Sequence, residues 1–235
     1  EESLELVERI NNNKNLPMFT SCCPSWVKYV EIFYPELIPN LSTCKSPIAM
    51  QGSTIKTYFA KMKNINSDDL INVVIAPCTA KKYEIKRREL NVTRRDTDFI
   101  LTTRELALMI KKNNIDFLHL DNSEFDSPLG LGSSAGVIFG NTGGVAEAAL
   151  RTAYHYITDE DLDDNSLTFS KVRGMSGIKE TEVIIGDKTI KVAVANGMKN
   201  AKILIDKIKS GTVNYQFVEV MNCTGGCIAG GGQPK

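Results

Sequence analysis

Three short cysteine clusters, far apart in the chain, constrain its fold more than any other feature. They read Thr20-Ser21-Cys22-Cys23-Pro24-Ser25-Trp26, Ala76-Pro77-Cys78-Thr79-Ala80-Lys81-Lys82 and Met221-Asn222-Cys223-Thr224-Gly225-Gly226-Cys227. The last runs directly into Ile228-Ala229-Gly230-Gly231-Gly232-Gln233, and only Cys44 of the six cysteines lies outside the clusters. Soft thiolates on turns drawn from distant segments point to iron–sulfur ligation before other chemistry. Six cysteines in 235 residues are too sparse for a disulfide scaffold. The neighbours Cys22 and Cys23 could bridge each other only with strain. Metal-bound thiolates in a reducing cytoplasm are the expectation.

The segments between the clusters alternate between helical and extended patterns. Leu4, Val7 and Ile10 recur at helical spacing over residues 3–11, with acids toward the start. Pro24 opens a helix reaching Tyr34, and Ser46-Pro47 opens one reaching about Met62. Asn72–Ala76 and Asp98–Leu101 read as short buried strands, the second followed by a helix capped at Thr102 and ending near Lys112. Gly143-Gly144 leads into a helix from Val145 to Tyr156. Glu182–Ile185 and Ile190–Val194 flank a hairpin turn at Gly186-Asp187-Lys188, and a helix over 199–209 precedes a strand over 217–221. Asp159–Asp164 reads as a solvated acidic loop. The class is α/β.

Lys plus Arg and Asp plus Glu both number 28, so the chain has no basic footprint for nucleic acid. No apolar run approaches the roughly 18 residues of a membrane span. Cys78 and Cys223 each follow a strand, where ligands gather in open α/β sheets. Four thiols drawn from Cys22 or Cys23, Cys78, Cys223 and Cys227 would satisfy a cubane. Structural zinc is the bland alternative, but it explains neither the adjacent cysteine pair nor the polyglycine tail. Gly140-Asn-Thr-Gly-Gly144 lacks the lysine of a P-loop, so a nucleotide site is not expected there. His119 and His155 stand alone, and Cys44 reads as a small buried hydrophobe.

Taken together, the three clusters resemble the signature motifs of the iron-only, or [FeFe], hydrogenases. Phe33-Tyr-Pro-Glu-Leu, Leu101-Thr-Thr-Arg-Glu-Leu and Ile138-Phe-Gly-Asn-Thr-Gly-Gly-Val extend the likeness across nearly the whole chain. The resemblance implies a two-lobed catalytic domain over residues 1–235, with mostly parallel sheets flanked by helices and an H-cluster between the lobes. That cofactor is a [4Fe–4S] cubane joined to a diiron site bearing CO, cyanide and a bridging azadithiolate. The implied activity is reversible reduction of protons to H2, with electrons exchanged with a ferredoxin or a flavodoxin-like carrier and the diiron unit installed by maturases.

Carried over by position, the resemblance makes Cys23, Cys78, Cys223 and Cys227 the cubane ligands, with Cys227 bridging to the diiron unit. Cys22 becomes the thiol that exchanges protons with the bridging amine. Lys81 matches the lysine that binds a cyanide. Ser46, Pro47, Ala76, Pro77, Phe139 and Met221 line the cofactor pocket. Glu2, Glu5, Ser42 and Arg9 match the family's proton path, and Glu84 reads equally as an aid to Lys81 or Arg9 or as a surface residue. Without the resemblance, Lys81 and Lys82 would read as a solvated pair.

Ala76, Ile48, Asn222 and Thr224 depart from the commonest family motifs, which implies a divergent subgroup with altered pocket packing. Relatives carry a further strand–loop segment before residue 1 and helices beyond Lys235, so the resemblance implies a domain incomplete at both ends, supplemented by missing segments or subunits. No ferredoxin-like cysteine set precedes the first cluster. Two other readings compete: a cubane-binding, non-catalytic iron–sulfur assembly factor, and an H2 sensor, against which the retained Cys22 argues.

Overall fold

The computed structural model describes residues 1–234 apart from 92–94, 127–128, 131, 133–134, 164–165, 168 and 172–176. The acidic loop expected at 159–164 therefore lies only partly within the described residues. In chain order the α-helices are α1 (Glu2–Asn12), α2 (Pro24–Phe33), α3 (Pro47–Thr54), α4 (Ala60–Met62), α5 (Lys81–Glu84), α6 (Thr103–Lys112), α7 (Ala135–Ile138), α8 (Gly144–Thr158) and α9 (Met198–Lys209). The strands are β1 (Met18–Phe19), β2 (Val73–Ala76), β3 (Phe99–Thr102), β4 (Ser170–Lys171), β5 (Ile178–Ile185), β6 (Lys188–Asn196) and β7 (Phe217–Met221). The chain divides into two compact units, 1–44 with 135–228 and 45–134 with 229–235.

The first unit is built on a mixed sheet of order β1-β7-β6-β5-β4. β1, β7 and β6 run parallel, while β5 and β4 add antiparallel edges. The period-two alternation of strands sorts side chains to two faces. Phe19, Ile178, Ala193, Ala195, Val218 and Val220 pack with Trp26 and Val30 of α2 and Leu204 and Ile205 of α9. Met18, Val183, Ile185, Ile190, Val192, Val194 and Phe217 pack with Leu6 of α1 and Ala146, Ala149 and Leu150 of α8. Both faces being covered explains why β7 reads as a continuous apolar run rather than an alternating one.

Within that run stands Glu219, which by alternation shares the α1/α8 side of the sheet with Phe217. Its side chain is fully buried. A carboxyl there must be hydrogen-bonded, and the N-terminus of α8 supplies the donors.

In the second unit β2 and β3 pair in parallel, with Ala76 opposite Thr102. Thr102 and Glu105 close a reciprocal capping box that starts α6. The helix expected over 46–62 is present but not uniform. It passes through a π-helical stretch, Ile55–Phe59, between α3 and α4. The buried Lys56 lies in that stretch, pairing with Asp98 at 2.9 Å.

Candidate functional site

The first cysteine cluster is tied to the sheet by its flanking residues. Thr20 donates its amide to the Val218 carbonyl at 3.0 Å and accepts the Val220 amide on Oγ1 at 3.2 Å. Trp26 is fully buried and donates its indole N–H to the Thr20 carbonyl at 3.0 Å. Cys23 is the N-cap of α2 and Pro24 opens its first turn, where no amide donor is needed. The two thiols thus sit just ahead of a helix, Cys23 buried and Cys22 half-buried.

The third cluster follows β7 and turns at Gly226. Its φ is +101°, and a Cβ there would lie 2.4 Å from the Gly140 carbonyl oxygen and 2.7 Å from the Thr142 nitrogen. Only glycine combines that conformation with that approach. The same contact is stitched by backbone bonds, from Thr142 to the Gly225 carbonyl at 3.3 Å and from Ile228 to the Gly140 carbonyl at 3.1 Å. The turn bearing Cys223 and Cys227 therefore rests on the loop that follows Phe139. Met221 is buried at the end of β7, whereas Asn222 and Thr224 are exposed.

In the second unit the buried Ala76 ends β2, and the Pro77 carbonyl accepts the Gly232 amide at 2.7 Å. The glycine tail is thereby anchored beside the second cluster. A Cβ on Gly232 would approach Thr102 Cβ to 2.7 Å. Cys78 is half-buried between this anchor and α5.

Lys81 is only 6% exposed and Lys82 partly exposed, so the solvated pair that the residues alone would suggest does not hold for Lys81. Its ammonium meets Glu84 at 2.9 and 2.8 Å, and Ser46 donates to the same carboxylate at 2.9 Å. Glu84 thus assists Lys81 and is not a surface residue. Ser46 also caps α3, whose first residue, Pro47, is exposed. Phe139 and Ile48 are half-buried.

The residues matched to a proton path cluster in the first unit. Arg9 donates to Glu5 at 2.6 Å, to the carbonyls of Asn15, Pro39 and Asn40 at 3.2 Å each, and to that of Leu41 at 2.8 Å. Glu5 also accepts from the Ser42 hydroxyl at 2.9 Å and the Thr43 amide at 3.0 and 3.1 Å. Burial works to raise the pKa of Glu5, but the Thr43 amide, Ser42 and Arg9 outweigh it and hold it below the usual value.

Glu2 lacks that set of donors. Burial pushes its carboxyl up to about 7, opposed by the Ser42 hydroxyl and reinforced by the charges of Glu5 and Glu219. Ser42 faces both carboxyls, and its single proton serves one at a time. Cys44 belongs to this cluster rather than to the apolar core expected for it. Its Sγ lies 3.7 Å from Glu5 and its amide donates to Ser42, while burial pushes its thiol up.

Glu219 was not singled out from the sequence. Its carboxylate accepts the Gly143 amide at 2.7 Å and the Ala146 amide at 2.8 Å. Burial raises it to about 7 against those amides, that of Val145 and the charge of Lys179. The available signal was a lone acid inside a buried strand pattern, a residue type almost never buried without partners.

The donor chemistry fits an iron–sulfur group. The six cysteines carry thiols, and those of the motifs sit on turns. A Cβ on Gly226 would collide with the 140–142 backbone, and one on Gly232 with Thr102. Among the described residues no three His, Cys, Asp or Glu side chains converge on a single-ion site.

Comparison with known proteins agrees. Residues 1–231 match the family described as the iron only hydrogenase large subunit, C-terminal domain. The chain is 50% identical to the periplasmic [Fe] hydrogenase large subunit of Nitratidesulfovibrio vulgaris, with all of the chain and 56% of that protein covered. It is 30% identical to the cytosolic Fe-S cluster assembly factor narfl of Xenopus tropicalis, covering all of the chain and 51% of that protein. The apo [FeFe]-hydrogenase HydA1 of Chlamydomonas reinhardtii superposes with a TM-score of 0.87 at 41% identity, over the whole chain and 66% of that structure. The chain thus spans between half and two thirds of these relatives. With its motifs, its α/β fold and these likenesses in agreement, it belongs to the iron-only hydrogenase large-subunit family.

Proposed function

We propose that the protein containing this chain catalyses 2 H+ + 2 e− ⇌ H2 at an H-cluster, exchanging electrons with a ferredoxin or flavodoxin-like carrier. Cys23, Cys78, Cys223 and Cys227 would hold the cubane, with Cys227 shared with the diiron site. When bound, the cofactor supplies the redox centre and the basic amine at which protons and electrons combine. The observation that carries the reading is the buried polar cluster of Glu5, Arg9 and Ser42 with Glu2 beside it. With Glu2 raised to about 7 beside the Ser42 hydroxyl, it offers a proton-transfer route that holding a cubane does not require.

The chain's own residues divide the proton chemistry. Arg9, Ser42 and the Thr43 amide keep Glu5 anionic. Glu2, near the ambient pH, can take and give a proton. Ser42 can accept from a protonated Glu2 while donating to Glu5, as a relay requires. Cys22 would exchange protons with the bound cofactor, since a thiol's affinity can be tuned through the working range. Lys81, fixed by Glu84 and Ser46, presents a positive charge for the cofactor's anionic cyanide.

No helix among the described residues is long and apolar enough to cross a membrane. We assign the protein to the cytoplasm on the redox argument, although one close relative is named as periplasmic. Infrared spectroscopy of the full-length protein after maturation tests the activity. CO and cyanide bands accompanied by H2 turnover are expected. Their absence after maturation would overturn the reading in favour of an assembly factor, the named role of the relative from Xenopus tropicalis. Cys22→Ala should retain the cubane signal in electron paramagnetic resonance and lose turnover, and undiminished turnover would remove Cys22 from the path.

A further inference from the structure

The chain is neutral as a whole, but its charge is unevenly spread. Residues 81–95 carry seven of the 28 basic side chains and two of the 28 acidic ones, which leaves this stretch at +5 and the rest of the chain at −5. Three of the seven are committed: Lys81 is buried against Glu84, Lys82 pairs with Glu105, and Arg87 with Glu89. Arg94 lies outside the described residues. Lys86, Arg88 and Arg95 are exposed, and none of them is in an ion pair among the described residues. Arg95 feels the charge of Asp98, which is already paired with Lys56. Tyr83, on α5 just ahead of them, is exposed as well.

The backbone that presents these cations is held in place. Successive helical turns bond the Lys82 amide to the Thr79 carbonyl at 3.2 Å, Ile85 to Lys81 at 3.2 Å and Arg87 to Glu84 at 3.0 Å. Asn91 donates to the carbonyls of Ile85 at 3.0 Å and Arg87 at 2.6 Å, and accepts the Asp96 amide at 3.3 Å. Lys45 donates to the Leu90 carbonyl at 3.1 Å and to Asp96 at 2.9 Å. Charges on such a loop need little ordering when a partner arrives. The loop also lies close in the chain to the second cysteine cluster: the helical turns from Thr79, the neighbour of Cys78, reach Lys86 in about 10–14 Å along the axis.

We propose that the loop bearing Lys86, Arg88 and Arg95, with Tyr83 beside it, is the docking surface for a small acidic electron-carrier protein. This rests on the activity proposed above, in which Cys78 holds the cubane. A positive patch facing a negative carrier speeds encounter and sets orientation. Tyr and Arg are residue types enriched in interfaces. A carrier seated here brings its redox centre to the Cys78 side of the cubane. Each encounter oxidises the reduced carrier by one electron, and two encounters supply the pair that H2 formation consumes. An extended polyanion such as nucleic acid is disfavoured, because the acidic remainder of the chain repels it.

The test is calorimetric titration of the full-length protein with a bacterial two-cluster ferredoxin at low and high ionic strength. K86E/R88E/R95E reverses the three charges on exposed side chains only. K14E/K63E/K199E makes the same change of net charge at exposed lysines elsewhere. The first should weaken binding about tenfold or more at low salt and much less at high salt, while the second stays near the wild type. No binding by the wild type, or equal losses in the two variants, overturns the proposal. So does equally tight binding of a DNA duplex or an anionic vesicle that the first variant abolishes, since the loop would then be a general anion surface.

H2 evolution driven by reduced methyl viologen, which needs no docking surface, separates this proposal from the activity itself. If viologen drives turnover in both variants and ferredoxin only in the second, both readings stand. Viologen turnover with ferredoxin binding indifferent to the loop keeps the activity and removes the docking surface. Ferredoxin binding lost in the first variant, with no viologen turnover in the matured wild type, keeps the docking surface and removes the hydrogenase reading.

Discussion

Glu2 and Glu5 lie one helical turn apart, yet their surroundings give them opposite proton affinities. Arg9 makes the difference, because a single planar guanidinium bonds Glu5 and four backbone carbonyls at once. Arg9→Ala leaves Glu5 without its counter-charge and those carbonyls without a donor. It should cost about 3–5 kcal/mol in urea unfolding, as expected on breaking a mostly buried pair. Arg9→Lys should recover only part of this, since one ammonium cannot span the same acceptors. A loss within experimental error for Arg9→Ala would show the network to be decorative. The spacing of Glu2 and Glu5, i and i+3, is legible in the sequence as one helix face. Their grouping with Arg9 and Ser42 came only from the family resemblance, because residues more than thirty positions apart meet only through the fold. Glu219 and Cys44 escaped for the same reason, since their partners at Gly143, Ala146 and Glu5 are distant in sequence.

Elements with a strong local signal were readable: the β5–β6 hairpin, the Thr102 capping box and the strands β2, β3 and β7, although β2 and β3 are not buried as their apolar runs suggest, since Val73, Ile75 and Phe99 are exposed. β1 was not, because its two residues form a strand only by pairing with β7 some two hundred positions away. The cysteine turns illustrate the limit from the other side. Their cysteines were plain in the sequence, but the reason for Gly226 appears only with the Gly140–Thr142 loop beneath it. Gly226→Ala should therefore displace the turn bearing Cys223 and Cys227. Beyond about 1–3 kcal/mol of backbone strain, the added methyl has no room. The expected outcome is a marked fall in iron bound per chain after cluster reconstitution. Gly211→Ala serves as control, having a φ of +70° but nothing within 4 Å of its Cβ. It should cost stability alone and keep the iron. Equal iron content in the two variants would remove the steric role of Gly226.

At the scale of the whole molecule, the proposed proton chemistry and stability pull in opposite directions. Glu2 and Glu219 are both raised from 4.5 to about 7 by burial, so the folded protein binds protons that the unfolded chain has released. Their stabilisation is complete below about pH 4.5 and is lost as pH rises through about 7. Glu5, lowered, works the other way, and its contribution is lost only as pH falls below the unfolded value. Between pH 5 and 8 the two raised carboxyls dominate this local balance and together cost on the order of a few kcal/mol. Urea unfolding of the cofactor-free full-length protein should therefore show stability declining across that range. Glu2→Gln should flatten the slope by removing one of the two groups, whatever it does to absolute stability. A stability that is level or rising from pH 5 to 8, with the same slope in Glu2→Gln, would mean that neither carboxyl holds its proton in the folded state. The relay would then lack the neutral-pH proton that its buried position is argued to provide.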